Sequence, residues 1–438
     1  MTVSSTSAVA TLRRPPAGVG NDPPATGGDP LTRAAILLSF LAMPVLVPRG
    51  PGNLTPADGF ALLAVGAMVL RAGWTQERLR VPYLLGTGLL GAAGAASALA
   101  GDLPGSGLLA VTQDLFLVAW AAALANFART ANDARFLVGA WALTASAWGV
   151  VLVATTGPAL LGGGGGDAPA RAAFTFGDEN AAGFYFVVSM LVVVAARRPR
   201  RRSLRFLALA SLGVATLGSG SLGAISGLLA GVAVAVVLGV RSRRGAALAL
   251  ALAVALPVGM ASVVLFSQRH QVVQAAHDSG NPLLRNSLGR GQQSSASRSE
   301  LARETFELWR TSDVWGRGPV STQSALRAQQ APYAKEAHND WLAALVERGV
   351  LGVTGLLLLV AEIGLWAART WDRRRLAEGY GAVLPAPHYL VGALVTAVVF
   401  SLTHEVLHDR SLWALLGLLA AIGIWGHGRP VTGTRGTA

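Results

Sequence analysis

The sequence predicts an all-α, polytopic membrane protein with about twelve transmembrane helices and one large, partly helical extracytoplasmic loop. Three observations predict it. Of 438 residues, 52% are hydrophobic and only 13% are charged; mean hydropathy is +0.48. A soluble domain carries about a quarter charged residues, so this chain lacks the polar surface to cover a globule of its size in water. The apolar residues also fall in long blocks, and arginine clusters alternate with them. A cytosolic enzyme is excluded.

Residues 1–30 are rich in Pro, Gly, Ser and Thr and read as a disordered cytoplasmic tail that stays attached, since no secretory cleavage pattern follows. Apolar runs then lie near 31–48, 57–71, 82–101, 107–127, 135–156, 179–196, 206–218, 221–240 and 245–266, giving nine transmembrane helices over 31–266. A polar stretch, 267–345, forms the extracytoplasmic loop. Runs near 349–367, 388–404 and 412–427 supply three more helices over 346–427, and 428–438 is a second cytoplasmic tail. The runs 57–71 and 206–218 fall short of the roughly 20 residues that span a bilayer. They are expected to draw on flanking residues or to tilt less.

Arginine orients the bundle. With the N-terminus in the cytoplasm, the inner segments hold the clusters Arg71/Arg78/Arg80, Arg197–Arg205, Arg241/Arg243/Arg244 and Arg369/Arg373/Arg374/Arg375, while the short outer loops hold Arg49, Arg171 and Arg410. Positive charge in short loops marks the inner side. Both termini are therefore expected in the cytoplasm, in the plasma (inner) membrane. The inner arginines read as topology anchors in the bilayer, and no nucleic-acid partner is expected. The loop 267–345 is basic although it lies outside, which long loops tolerate. A solvated loop touching anionic headgroups explains that charge, and so does a site for a phosphorylated substrate.

Within the loop, Ser297 and Glu300 fit a capping box. Leu301, Phe306, Leu308 and Trp309 then give a partly amphipathic helix ended by Gly316, Gly318 and Pro319. A second helix begins near His338-Asn339-Asp340 and stops at Gly349. A run of five glycines, Gly162–Gly166, marks the loop before the sixth span as mobile. The chain contains no cysteine, so disulfides and thiolate metal sites are excluded. Asp114 and Glu362 lie inside apolar runs, where an acid is a functional candidate, a helix–helix hydrogen-bonding group or, for Glu362, a snorkelling side chain.

The sharpest local pattern is Glu336-Ala337-His338-Asn339-Asp340-Trp341-Leu342, continuing to Glu347, Gly349 and Gly352. It resembles the O-antigen ligase/polymerase family of multi-pass membrane glycosyltransferases. In that family a His-Asn pair opens a short helix, followed by Leu, Leu, Glu, Gly and Gly at this spacing. Arg298 with Trp309, Asp313, Gly316 and Gly318 resembles the stretch that precedes the family's histidine. Phe174 to Asn180 resembles a Phe-x-x-x-Asn segment entering a helix. The resemblance spans about residues 170–425.

The resemblance implies an inverting, metal-independent transferase with no cofactor. The donor is a polyprenyl-diphosphate-linked glycan, and the acceptor is a glycan or lipid. By position, His338 inherits the role of base and Arg298 that of diphosphate ligand, with Arg171, Asn180, Arg290 and Asn339 as substrate-binding residues. The chemistry is consistent. Neutral imidazole accepts a hydroxyl proton near pH 7, a helix N-terminus disfavours imidazolium, and guanidinium groups match phosphate oxygens in bidentate fashion. Such a cationic clamp stabilises charge developing on the leaving diphosphate. One departure stands out. The family carries a second phosphate-binding arginine at the outer end of a middle span, where this chain has Leu222 in Gly218–Gly223. Either Arg171 or Arg290 substitutes, or activity is altered.

Two other classes compete. A lipid or solute transporter would place charge inside the spans and show related halves; this chain shows no repeat. His404-Glu405-Val406-Leu407-His408 matches HExxH, which on a helix sets two histidines on one face for Zn²⁺. A zinc membrane protease needs a third ligand, and after Asp409 the sequence offers only His427.

Overall fold

A computed structural model of the chain describes residues 29–160, 173–267, 270–278 and 291–427. Arg171, Arg290, Gly162–Gly166 and both tails lie outside them. Among the described residues there are helices and no strands. In chain order these are α1 (Pro30–Ala42), α2 (Pro56–Thr75), α3 (Leu84–Ala100), α4 (Pro104–Phe127), α5 (Ala131–Leu160), α6 (Glu179–Ala196), α7 (Arg202–Ser219) and α8 (Leu222–Arg244). They continue with α9 (Ala246–Ser267), α10 (His270–Asp278), α11 (Gly291–Arg310), α12 (Thr322–Ala328), α13 (Asp340–Thr370), α14 (Glu378–Val383), α15 (His388–Ser401) and α16 (Arg410–Trp425). The chain is an all-α polytopic membrane protein. By length and composition α2, α4, α5, α6, α8 and α13 each suffice to cross a membrane; α1, α3, α15, α16 and the first half of α9 are shorter apolar helices.

Each apolar run of the sequence coincides with a helix, and both short runs gain flanking residues. Helix starts follow from capping chemistry. Thr55, Asp178, Ser221, Asn339 and Asp409 each accept a first-turn backbone N–H on a side-chain oxygen, satisfying donors that would otherwise be orphaned.

The bundle is built around α6 and α16. Residues Phe184 through Val188 are buried on every side of α6, as are Leu412 through Ile422 of α16, which makes both interior helices. Outer helices instead expose leucines and phenylalanine: Leu62 and Leu63 on α2, Phe206 on α7, Leu357 and Leu365 on α13. That apolar exterior suits hydrocarbon rather than water. Close seams use small residues. Gly223, Gly227, Gly231, Ala235 and Gly239 recur every fourth position of α8, and α15 packs along them. A Cβ at Gly231 would collide with the Gly392 carbonyl, while Thr396 Oγ1 donates to the Gly227 carbonyl at 2.9 Å. Such ridges let membrane helices pack by backbone approach.

Four local expectations are corrected. Ser297 and Glu300 lie inside α11, which is already helical from Gly291, so they form no N-terminal box. Gly349 does not stop the second loop helix; it kinks it at φ 64° and ψ −161°, and the helix runs on to Thr370. Residues 402–409 form turns, so HExxH never acquires the helical face it needs. Glu362 does not snorkel: its carboxylate accepts the Gly86 N–H at 3.1 Å, joining α13 to α3.

Candidate functional site

The residues 338–340 are tied one after another to the loop between α15 and α16. His338 has a left-handed backbone, φ 48°, uncommon for a residue with a Cβ. Its N–H donates to Glu405 Oε1 at 3.1 Å. Asn339 caps α13 by accepting the Trp341 and Leu342 N–H groups, and its Nδ2 donates to the Leu402 carbonyl at 2.9 Å. Asp340, buried, accepts the Val406 and Leu407 N–H groups at 2.9–3.3 Å. The His338 ring lies 5.7 Å from that of His404, which itself stacks on Phe400 at 4.6 Å.

Burial holds the His338 pKa below the usual imidazole range, and the charges of Lys335 and Arg298 push the same way against Glu336 and Asp178. His338 and Asn339 are adjacent at the start of α13, and the charges of Arg298 on α11 and Asp178 at the start of α6 bear on the His338 ring. Asn180 is the second residue of α6, its N–H held by the Asp178 carboxylate at 2.8 Å. Leu222 opens α8 directly after its cap Ser221. The next residue, Gly223, abuts Thr403 and Phe400, so the start of α8, where the resemblance expects an arginine and the chain has Leu222, packs near the His404 loop.

The sequence reading missed a polar chain behind this region. Asp114 of α4 pairs with Arg348 of α13, and His408 Nδ1 lies 3.1 Å from its other oxygen. His408 Nε2 is 3.9 Å from Glu405 Oε2, and Glu405 in turn holds the His338 backbone. Burial, then the charge of Glu347, raises the Glu405 pKa to about 8. Burial opposes charge on His408, but Asp114 and Glu405 outweigh it and raise its pKa to about 9. The usable signal was an acid inside an apolar run together with a His-Glu-x-x-His cluster at a span end. Next to it opens a cavity of about 650 Å³ whose walls include Arg49, Asp58, Gln113, His408 and Arg410. Arg410 is held there by a bidentate pair with Asp58 at 2.7–2.8 Å.

The glycines of the motif acquire a physical reason. The segment after α11 lies along the kink of α13: Arg317 N–H donates to the Val346 carbonyl, Gly318 N–H to Glu347, and Val350 N–H to Val314, all at 2.9–3.0 Å. A Cβ on Gly316 or Gly349 would strike the opposite backbone, and both carry positive φ. Glu347 closes the seam by accepting the Val320 N–H and the Thr322 hydroxyl.

What this defines is a helical membrane protein whose half-buried loop histidine is clasped at the start of a membrane helix by Glu405. Residues 207–357 match the family model described as O-Antigen ligase, a stretch that contains Arg298, His338 and Asn339. Over that stretch the chain is similar to O-antigen ligases, which supports a membrane enzyme of the ligase type, broadly glycosyltransferase-like. No curated protein matches it.

Proposed function

We propose that the chain transfers a glycan from a polyprenyl diphosphate to a hydroxyl of an acceptor glycan or lipid, with inversion and without a metal ion. The observation that carries this reading is the neutral His338 within reach of the Arg298 charge, inside the family-matched segment. His338 removes the acceptor proton as the hydroxyl attacks the anomeric carbon. Arg298 binds the diphosphate, whose oxygen bonded to the anomeric carbon leaves with the bonding pair as the intact polyprenyl diphosphate departs. Asn339, Asn180, Arg171 and Arg290 contact substrate, and 267–345 acts as the catalytic loop on the extracytoplasmic side, both termini being cytoplasmic. Glu405 fixes the His338 backbone and so positions its ring.

The zinc-protease alternative loses its geometric basis, because His404 packs flat on Phe400 and His408 is engaged by Asp114. The test uses purified full-length protein in detergent with a polyprenyl-diphosphate-linked glycan. His338→Ala is expected to lower turnover by about 10²–10⁴-fold with folding intact. Arg298→Ala is expected to raise KM and lower kcat, with Arg298→Lys only partly restoring either. Wild-type turnover from His338→Ala overturns the proposal.

A further inference from the structure

We infer that the opposite end of the bundle carries a second site, built between α6, α7, α8 and α15, for a phosphate-bearing anion. A cavity of about 560 Å³ opens there, lined by Arg197, Arg205, Arg243, Arg244 and His388, with an apolar wall that includes Val194 and Val236. Among the described residues the lining contains no carboxylate. The acid whose charge reaches His388 is Asp372, outside the wall.

The cavity is held by specific contacts. Arg197 caps α6 in a left-handed conformation, and Arg205 Nη1 donates to its carbonyl at 3.1 Å, tying the first turn of α7 to the end of α6. At Gly239 a Cβ would meet His388 Nε2 at 3.0 Å, so glycine lets the ring lie against α8. Arginines serving only as topology anchors need to reach headgroups; they need not converge on a cavity. Four guanidinium groups around one space repel each other until an anion enters. Phosphate oxygens accept their paired N–H groups in bidentate fashion. Basic pockets between membrane helices, next to apolar wall, suit a lipid phosphate whose chains lie on that wall.

The site is separate from the transferase region. Helix α6, 18 residues between its caps Asp178, whose charge reaches His338, and Arg197, is roughly 27 Å long and close to a bilayer core. α15 likewise starts at His388 and ends near His404. The inference therefore stands or falls independently of the proposed chemistry.

The test is thermal melting of full-length protein in neutral detergent with phosphatidylglycerol, phosphatidylcholine or sodium phosphate. Phosphatidylglycerol is expected to raise Tm, phosphatidylcholine to leave it unchanged, and an Arg205→Gln/Arg243→Gln double variant to bind the anionic lipid about tenfold more weakly. Protection by phosphatidylglycerol alone identifies a lipid headgroup; equal protection by sodium phosphate identifies a free anion; both uphold the site. Equal protection of wild type and double variant, equal protection by both lipids, or no shift with either anion overturns it. A photoreactive phosphatidylglycerol on wild-type protein gives a readout free of folding effects. Labelling within 235–244 or at His388–Tyr389 supports the site, and labelling confined to other segments removes it.

Discussion

His338 combines a left-handed backbone with a ring kept neutral by burial. The strain is held by its N–H to Glu405 and by the cap that follows it. Because its pKa is lowered, the base form persists below the usual imidazole midpoint near 6.5. Transfer is therefore expected to hold down to mildly acid pH and to fall only at lower pH, as the ring protonates. A kcat/KM profile on the acid limb measures this, and a midpoint at or above 6.5 contradicts it. Asp340 carries a different burden, since it accepts two buried backbone N–H groups of the facing loop. Asp340→Ala leaves both unpaired and is expected to cost roughly 2–4 kcal/mol. Thermal melting reads the loss, and an unchanged Tm rules out the clasp as a stabilising contact.

At the scale of elements, α13 depends on one glycine. Gly349 sits at φ 64°, ψ −161°, a region open in practice to glycine alone, and any added Cβ meets the Val314 carbonyl. Gly349→Ala is expected to destabilise by at least about 2 kcal/mol. Gly364→Ala on the same helix, with nothing within 4 Å of the added carbon, is expected to be neutral or slightly stabilising. Equal melting of the two variants removes the argument. The glycine pattern itself was readable in the sequence, but its meaning was not. Gly349 read as a helix stop because a lone glycine after a polar helix normally ends it; only the pairing of 314–318 against 346–350 turns the same residue into a bend. The HExxH spacing sets two histidines on one face only on a helix, and Asp340 instead holds Val406 and Leu407 in a turn.

At the scale of the molecule, the apolar runs were legible because lipid-facing helices must be apolar over their whole length. The polar chain Glu405–His408–Asp114–Arg348 was not, since it joins α4, α13 and the loop between α15 and α16 across hundreds of residues. That chain sets an alkaline limit. Folding raises the His408 pKa from the ordinary 6.5 to about 9, so its contribution is complete below about 6.5 and is lost as pH rises through 9. Glu405, raised to about 8, acts with the same sign, because ionising it is harder in the folded chain. With 47% of the His408 side chain exposed, solvent screening keeps the effect modest. Tm is expected to fall between pH 7 and 9.5, and less so in His408→Gln. A flat wild-type curve argues against the coupling.

The clasp of Asp340 on Val406 and Leu407 joins stretches 66 residues apart into one mechanical piece. A spin label on either stretch will report the motion of the other. His338 and the 405–407 turn, joined through Glu405 and Asp340, are therefore expected to move together.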